Sequence, residues 1–83
     1  VRFEARVEVT LRDGIADPEG ATIERALPAL GFSGVHEVRS GRSFRLTLDS
    51  DTEDEARELA QSVADRLLAN PVIERATVEL SAS

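Results

Sequence analysis

From Val1 to Leu11 the chain alternates without a break. Val1, Phe3, Ala5, Val7, Val9 and Leu11 share one parity, and Arg2, Glu4, Arg6, Glu8 and Thr10 share the other. A period of two sends successive side chains to opposite faces, so this segment predicts a β-strand with one buried and one wet face. The polar parity alternates in sign, which suits a solvated sheet surface better than a hydrophobic docking face. Asp13-Gly14 ends the strand.

Asp17-Pro18 then opens a helix: aspartate caps free N–H groups, and proline at the first helical position loses no useful donor. Ile23, Ala26, Leu27 and Leu30 recur at the spacing of one buried helical stripe. Gly31 supplies a left-handed exit, with Phe32 placed to fold back on Leu27. Pro28 lies inside this pattern and removes the bond to the Glu24 carbonyl, which predicts a kink or a loosened last turn. Residues 35–40 and 42–49 read as a hairpin around Ser40-Gly41, with Phe44, Leu46 and Leu48 alternating in the second arm. Val35 and Val38 have opposite parity, so the first arm needs a strand end or a bulge. Thr52 and Glu55 match a capping box, and Ala56, Leu59, Ala60, Val63, Ala64 and Leu67 form a long apolar stripe. Asn70-Pro71 closes that helix. Ala76, Val78 and Leu80 alternate in a last half-buried strand, before a frayed Ser81-Ala82-Ser83.

The order is βαββαβ, an α+β arrangement. It predicts one domain over residues 1–83: a ferredoxin-like sandwich with a four-stranded antiparallel sheet and two helices on one face. The open face would carry Arg2, Glu4, Arg6, Glu8, Arg45, Thr47, Arg75, Thr77 and Glu79. A chain of 83 residues hides only about 60% of its unfolded surface, so stability is modest unless a partner shares it.

Composition narrows the chemistry. There is no cysteine, hence no disulfide, no thiolate nucleophile and no thiolate metal site. That absence is compatible with the cytoplasm, the expected location. No apolar run approaches a membrane span and no cationic leader precedes one. Sixteen acidic residues against ten arginines give a net charge of −6, which works against nucleic acid. His36, the one histidine, has no second histidine or cysteine with which to share a metal, and reads as a surface or strand-edge residue. Asp49, Asp51, Glu53, Asp54 and Glu55 lie where a helix start favours negative charge, without the ligand pattern of a calcium loop. No catalytic, cofactor or metal residue is expected.

Two features remain as candidate partner contacts. Arg39, Arg42 and Arg45 crowd the turn around Gly41, read either as a solvated turn that neutralises nearby acids or as a site for an anionic partner. The loop from Asp13 to Gly20, with Ile15 and Asp17, reads either as a plain loop and helix start or as a docking element.

Four stretches carry a family resemblance. Val9-Thr10-Leu11 leads into Gly14-Ile15 and Asp17-Pro18-Glu19-Gly20; Ala26-Leu27 leads into Leu30-Gly31-Phe32. Val38-Arg39 then precedes Gly41-Arg42, and Leu67-Leu68-Ala69-Asn70-Pro71-Val72-Ile73-Glu74 follows. Together they resemble the PurS-type small subunits of phosphoribosylformylglycinamidine synthase, the glutamine-dependent amidotransferase of purine synthesis. The resemblance implies a non-catalytic subunit that pairs with a second copy and bridges a glutaminase and a larger synthetase subunit, helping ammonia pass between them. ATP, magnesium and glutamine would be used by those partners. Pro28, Arg42 where the family often has lysine, and a short extra tail depart from the pattern.

Two other functions fit the same topology. An ACT-type regulatory module would bind a small ligand at a dimer interface near glycine-containing loops. An acylphosphatase-type enzyme would need a phosphate-cradling loop and a strand asparagine, but the one asparagine, Asn70, sits at a helix end.

Overall fold

The structure, a computed structural model, describes residues 1–82. Strand β1 (Arg2–Leu11) is followed by helix α1 (Pro18–Ala26) and a 3-10 turn (Pro28–Leu30). Strand β2 (Gly41–Asp49), helix α2 (Glu53–Val63), a π-helical turn (Ala64–Leu68) and strand β3 (Glu74–Ala82) complete the chain. The long alternating segment is the central strand of a β2-β1-β3 sheet, antiparallel to both neighbours. Its register runs from Arg2 opposite Asp49 to Thr10 opposite Gly41 on one side, and from Phe3 opposite Ala82 to Leu11 opposite Glu74 on the other.

Phe3, Ala5, Val7 and Val9 are buried as their parity requires, under Ala56, Ala60 and Ala64 of the second helix. Three alanines at i, i+4 and i+8 form a low ridge, so α2 can lie close over β1. Leu48 completes the buried set, and Phe44, Leu46, Val78 and Leu80 pack around it half-buried. The polar parity faces out, as expected. The Thr52 hydroxyl accepts the Glu55 N–H at 3.1 Å and caps α2. The Ala69 N–H donates to the Ala64 carbonyl, five residues back, which closes the π turn. That turn rotates Leu68 into the core and leaves Leu67 79% exposed, so Leu67 is not part of the buried stripe. Ser81 and Ala82 continue β3 rather than fraying; Ser83 lies outside the described residues.

Among the described residues the sheet has three strands, not four. Residues 35–40 form no strand, because Gly34 (φ 81°) and Glu37 (φ 56°) turn the backbone into the left-handed region and break the extension. The segment's N–H groups are also diverted: Val38 donates to Glu24 Oε1 and Ser40 to Asp17 Oδ2. No hairpin forms at Ser40-Gly41. Gly41 already lies in β2 opposite Thr10, where a Cβ would meet the Val9 carbonyl oxygen at 2.7 Å, a contact only glycine avoids.

Nor do two helices share one face. Leu11 and Gly41 end adjacent strands, and residues 12–40 project from that end as a lobe containing α1. The α1 helix ends at Ala26, ahead of Pro28, and the chain leaves through Gly31 (φ 91°), with the Phe32 N–H on the Leu27 carbonyl. The one buried residue of α1 is Gly20. The expected core stripe is therefore in the open: Ile23 is 45% exposed, Leu30 70%, Phe32 57% and Val35 45%. The chain measures 51 × 27 × 14 Å, and among the described residues no helix is long and apolar enough to cross a membrane.

Candidate partner interface

Asp17 is a fixed hub rather than a free contact. Its Oδ1 accepts the Gly20 N–H at 3.0 Å and the Ser40 hydroxyl at 2.7 Å, while Oδ2 accepts the Ser40 N–H at 2.7 Å. One carboxylate thus caps α1 and ties it to the approach to β2. The Gly20 N–H foremost, then the Ser40 hydroxyl and N–H, lower its pKa from 3.8 to about 2. Glu24 makes a second tie one helical turn on, accepting the Val38 N–H at 2.9 Å. Sequence reading missed Ser40 and Glu24, because the two ties span 23 and 14 residues and follow no periodic pattern. Ile15 is half-buried, its N–H on the Arg12 carbonyl, which leaves less of it for a partner than an exposed loop residue would offer.

The three arginines around Gly41 do not form one patch. Alternation along β2 sends Arg42 to the inner face with Phe44 and Arg45 to the outer face. Arg42 Nη2 reaches Glu74 Oε2 at 3.1 Å and the Leu68 carbonyl at 3.1 Å, and its guanidinium lies 5.6 Å from the Phe44 ring centroid. It clasps the π turn and the start of β3 onto β2. Glu74 also accepts the Asn70 N–H at 2.7 Å; that bond, with the Arg42 charge, holds its pKa below the usual value. Arg39, on the lobe, touches the Leu11 carbonyl at 3.4 Å. Arg45 stands on the polar face directly opposite Arg6, whose own partner is Glu79 at 3.9 Å. Like charges placed opposite each other on adjacent strands oppose pairing, so this arginine pair is suited to a carboxylate from outside.

His36 is exposed on the lobe. Two members of the acidic run around α2 are engaged locally: Asp49 pairs with Arg2 at 3.2 Å and Glu53 with Arg57 at 3.4 Å. Among the described residues no three His, Asp or Glu side chains converge. The geometry offers surfaces: a charged sheet face around Arg6 and Arg45, and an apolar lobe carrying Ile23, Leu30, Phe32 and Val35. The lobe surface went unpredicted because its 3.6-residue period signals an apolar stripe without saying what covers it.

A family model described as PurS, phosphoribosylformylglycinamidine (FGAM) synthase, matches residues 4–82. The chain belongs to the PurS family. It is 49% identical over 74 residues to the FGAM synthase subunit PurS of Mycobacterium leprae, covering 89% of this chain and 90% of that one. PurS of Methanocaldococcus jannaschii, a subunit of formylglycinamide ribonucleotide amidotransferase, superposes with a TM-score of 0.86 at 33% identity, over 98% of each chain. A chain of the Thermotoga maritima PurLQS structure superposes with a TM-score of 0.89 at 31% identity, over 98% of this chain and 99% of that one. The chain is thus a PurS subunit of FGAM synthase, a ligase of purine biosynthesis. Both superpositions cover 98% of this chain and so take in the lobe as well as the sheet.

Proposed function

We propose that this chain is a non-catalytic, cytoplasmic subunit that pairs with a second copy and bridges the glutaminase and synthetase subunits of FGAM synthase. In that position it supports the passage of ammonia from one active site to the other. ATP, magnesium and glutamine belong to the partners. The observation that carries this reading is the near end-to-end likeness to a chain of the PurLQS structure. The surfaces agree with it. The exposed stripe of α1 suits the second copy, and the outward arginines suit acidic segments of the larger subunits. Arg39 and Arg45 are the charged contacts; Asp17, Gly41, Arg42 and Ile15 act by holding the lobe and strand end in shape.

Reconstitution tests the reading. The glutaminase and synthetase subunits are assayed for FGAM formation with and without this chain, once with glutamine and once with an ammonium salt. Omission is expected to lower the glutamine-dependent rate at least about tenfold while leaving the ammonium-dependent rate near its value. Equal glutamine-dependent rates with and without the chain would refute the bridging role.

A further inference from the structure

Among the described residues, the two most exposed large apolar side chains lie in one short turn. Leu67, in the π turn after α2, is 79% exposed, and Val72, just before β3, is 80% exposed. Neither belongs to the core. A single apolar residue on a surface is ordinary. Here two are displayed by a backbone that has no freedom to fold them in. Every backbone N–H from Ala69 to Glu74 has an acceptor: Ala69 on the Ala64 carbonyl, Asn70 on Glu74 Oε1, Val72 on Asn70 Oδ1, and Ile73 and Glu74 on the Asn70 carbonyl. Pro71 has no N–H to satisfy. Arg12 grips the turn from β1, with Nε on the Pro71 carbonyl at 3.0 Å and its own N–H on the Ile73 carbonyl at 2.8 Å. Arg42 holds the Leu68 carbonyl from β2.

A rigid turn that presents apolar side chains binds without an ordering cost. Charge around it says what it fits. Arg12 and Arg66 adjoin the turn, and among the described residues neither has a carboxylate within 4.0 Å. Asp65 is taken up by the Gln61 amide at 3.0 Å, and Asp13 lies 4.0 Å from Arg75. In a chain of net charge −6 the apolar tip is thus bordered by unneutralised guanidiniums. Two identical tips would set arginine against arginine, so the turn calls for an unlike partner.

We propose that this turn is the apolar anchor of the chain on a larger subunit of FGAM synthase. Leu67 and Val72 enter an apolar pocket there, and carboxylates on the pocket rim meet Arg12 and Arg66. The proposal rests on the bridging reading above and names a contact surface for it, separate from the α1 stripe and from Arg45.

The test titrates full-length chain into the glutaminase and synthetase subunits and follows glutamine-dependent FGAM formation. With Leu67→Asp and Val72→Asp together, half-maximal rate is expected to need about thirtyfold more chain, while the maximal rate recovers. Amide exchange and sedimentation of the variant alone should match the wild type. An unchanged half-maximal concentration overturns the anchor and leaves the bridging reading standing. A rate that never depended on the wild-type chain overturns both. Arg66→Glu is expected to raise the half-maximal concentration about tenfold at low salt and less at high salt. No change would remove the carboxylate rim. A second measurement does not depend on the acidic variants folding. The native chain has no cysteine, so Val72→Cys takes one photo-crosslinker before the subunits are mixed. Cross-links are expected on apolar peptides of a larger subunit that also contain Asp or Glu. Cross-links confined to a second copy of this chain, or none to either larger subunit, contradict the proposal.

Discussion

The two ends of this molecule are built from similar residues and held by different forces. In the sheet half, valines, alanines and a phenylalanine disappear under α2, and the polar parity faces water. In the lobe the apolar residues stay on the surface, and two carboxylates, Asp17 and Glu24, hold the segment by accepting backbone N–H bonds. Burial is non-directional and cooperative, so the sheet half has a core of its own. Carboxylate ties fix direction but supply little apolar burial, so the lobe has a shape without a core. A segment with a fixed shape and an open apolar face is suited to a partner.

That contrast can be broken by substitution. Ala60→Leu forces a larger side chain between α2 and β1, where no space exists, and should cost about 3 kcal/mol by urea unfolding of the whole chain. A loss below about 1 kcal/mol would mean that the helix is not seated closely on β1. Gly41→Ala brings a Cβ against the Val9 carbonyl and should cost about 2 kcal/mol, with the loss of protection centred on Thr10 and Gly41 in amide exchange. Asp17→Ala releases the lobe: amides of residues 18–40 should exchange about tenfold faster while those of Val7 and Val9 hold. Uniform acceleration across both regions would remove the distinction drawn between them. Arg42→Ala has the smallest expected effect, a slight fall in the unfolding midpoint, because its pair with Glu74 is partly solvent-screened.

Acid sharpens the same comparison. The folded pKa of Asp17 lies below its unfolded value of 3.8, at about 2. The contribution of its ties is therefore fully present above about pH 4 and is lost as pH falls through about 2. Lobe amides should lose protection in that window in the wild type. Asp17→Asn should remove the titration.

The sheet half was legible because burial leaves a periodic trace: the two-residue alternation of β1, β2 and β3 and the alanine ridge of α2 can be read directly. The lobe was legible only in pieces. Pro28 and Gly31 mark the end of α1 correctly, since each acts through its own backbone. The missing strand was hidden, because its cause is a positive φ at Glu37 together with donors captured by side chains many positions away. The arginine cluster was close in sequence and divided in space, since Arg42 and Arg45 differ in parity. An apolar stripe on α1 is equally compatible with an intrachain core and an interchain one, so periodicity could not choose between them.

The central claim is that the lobe exists for assembly. Ile23→Asp with Leu30→Asp, added to the reconstituted glutaminase and synthetase subunits, tests it most directly through glutamine-dependent FGAM formation. The account predicts a folded sheet half by amide exchange together with failure to restore that rate. Full restoration by this variant would contradict it.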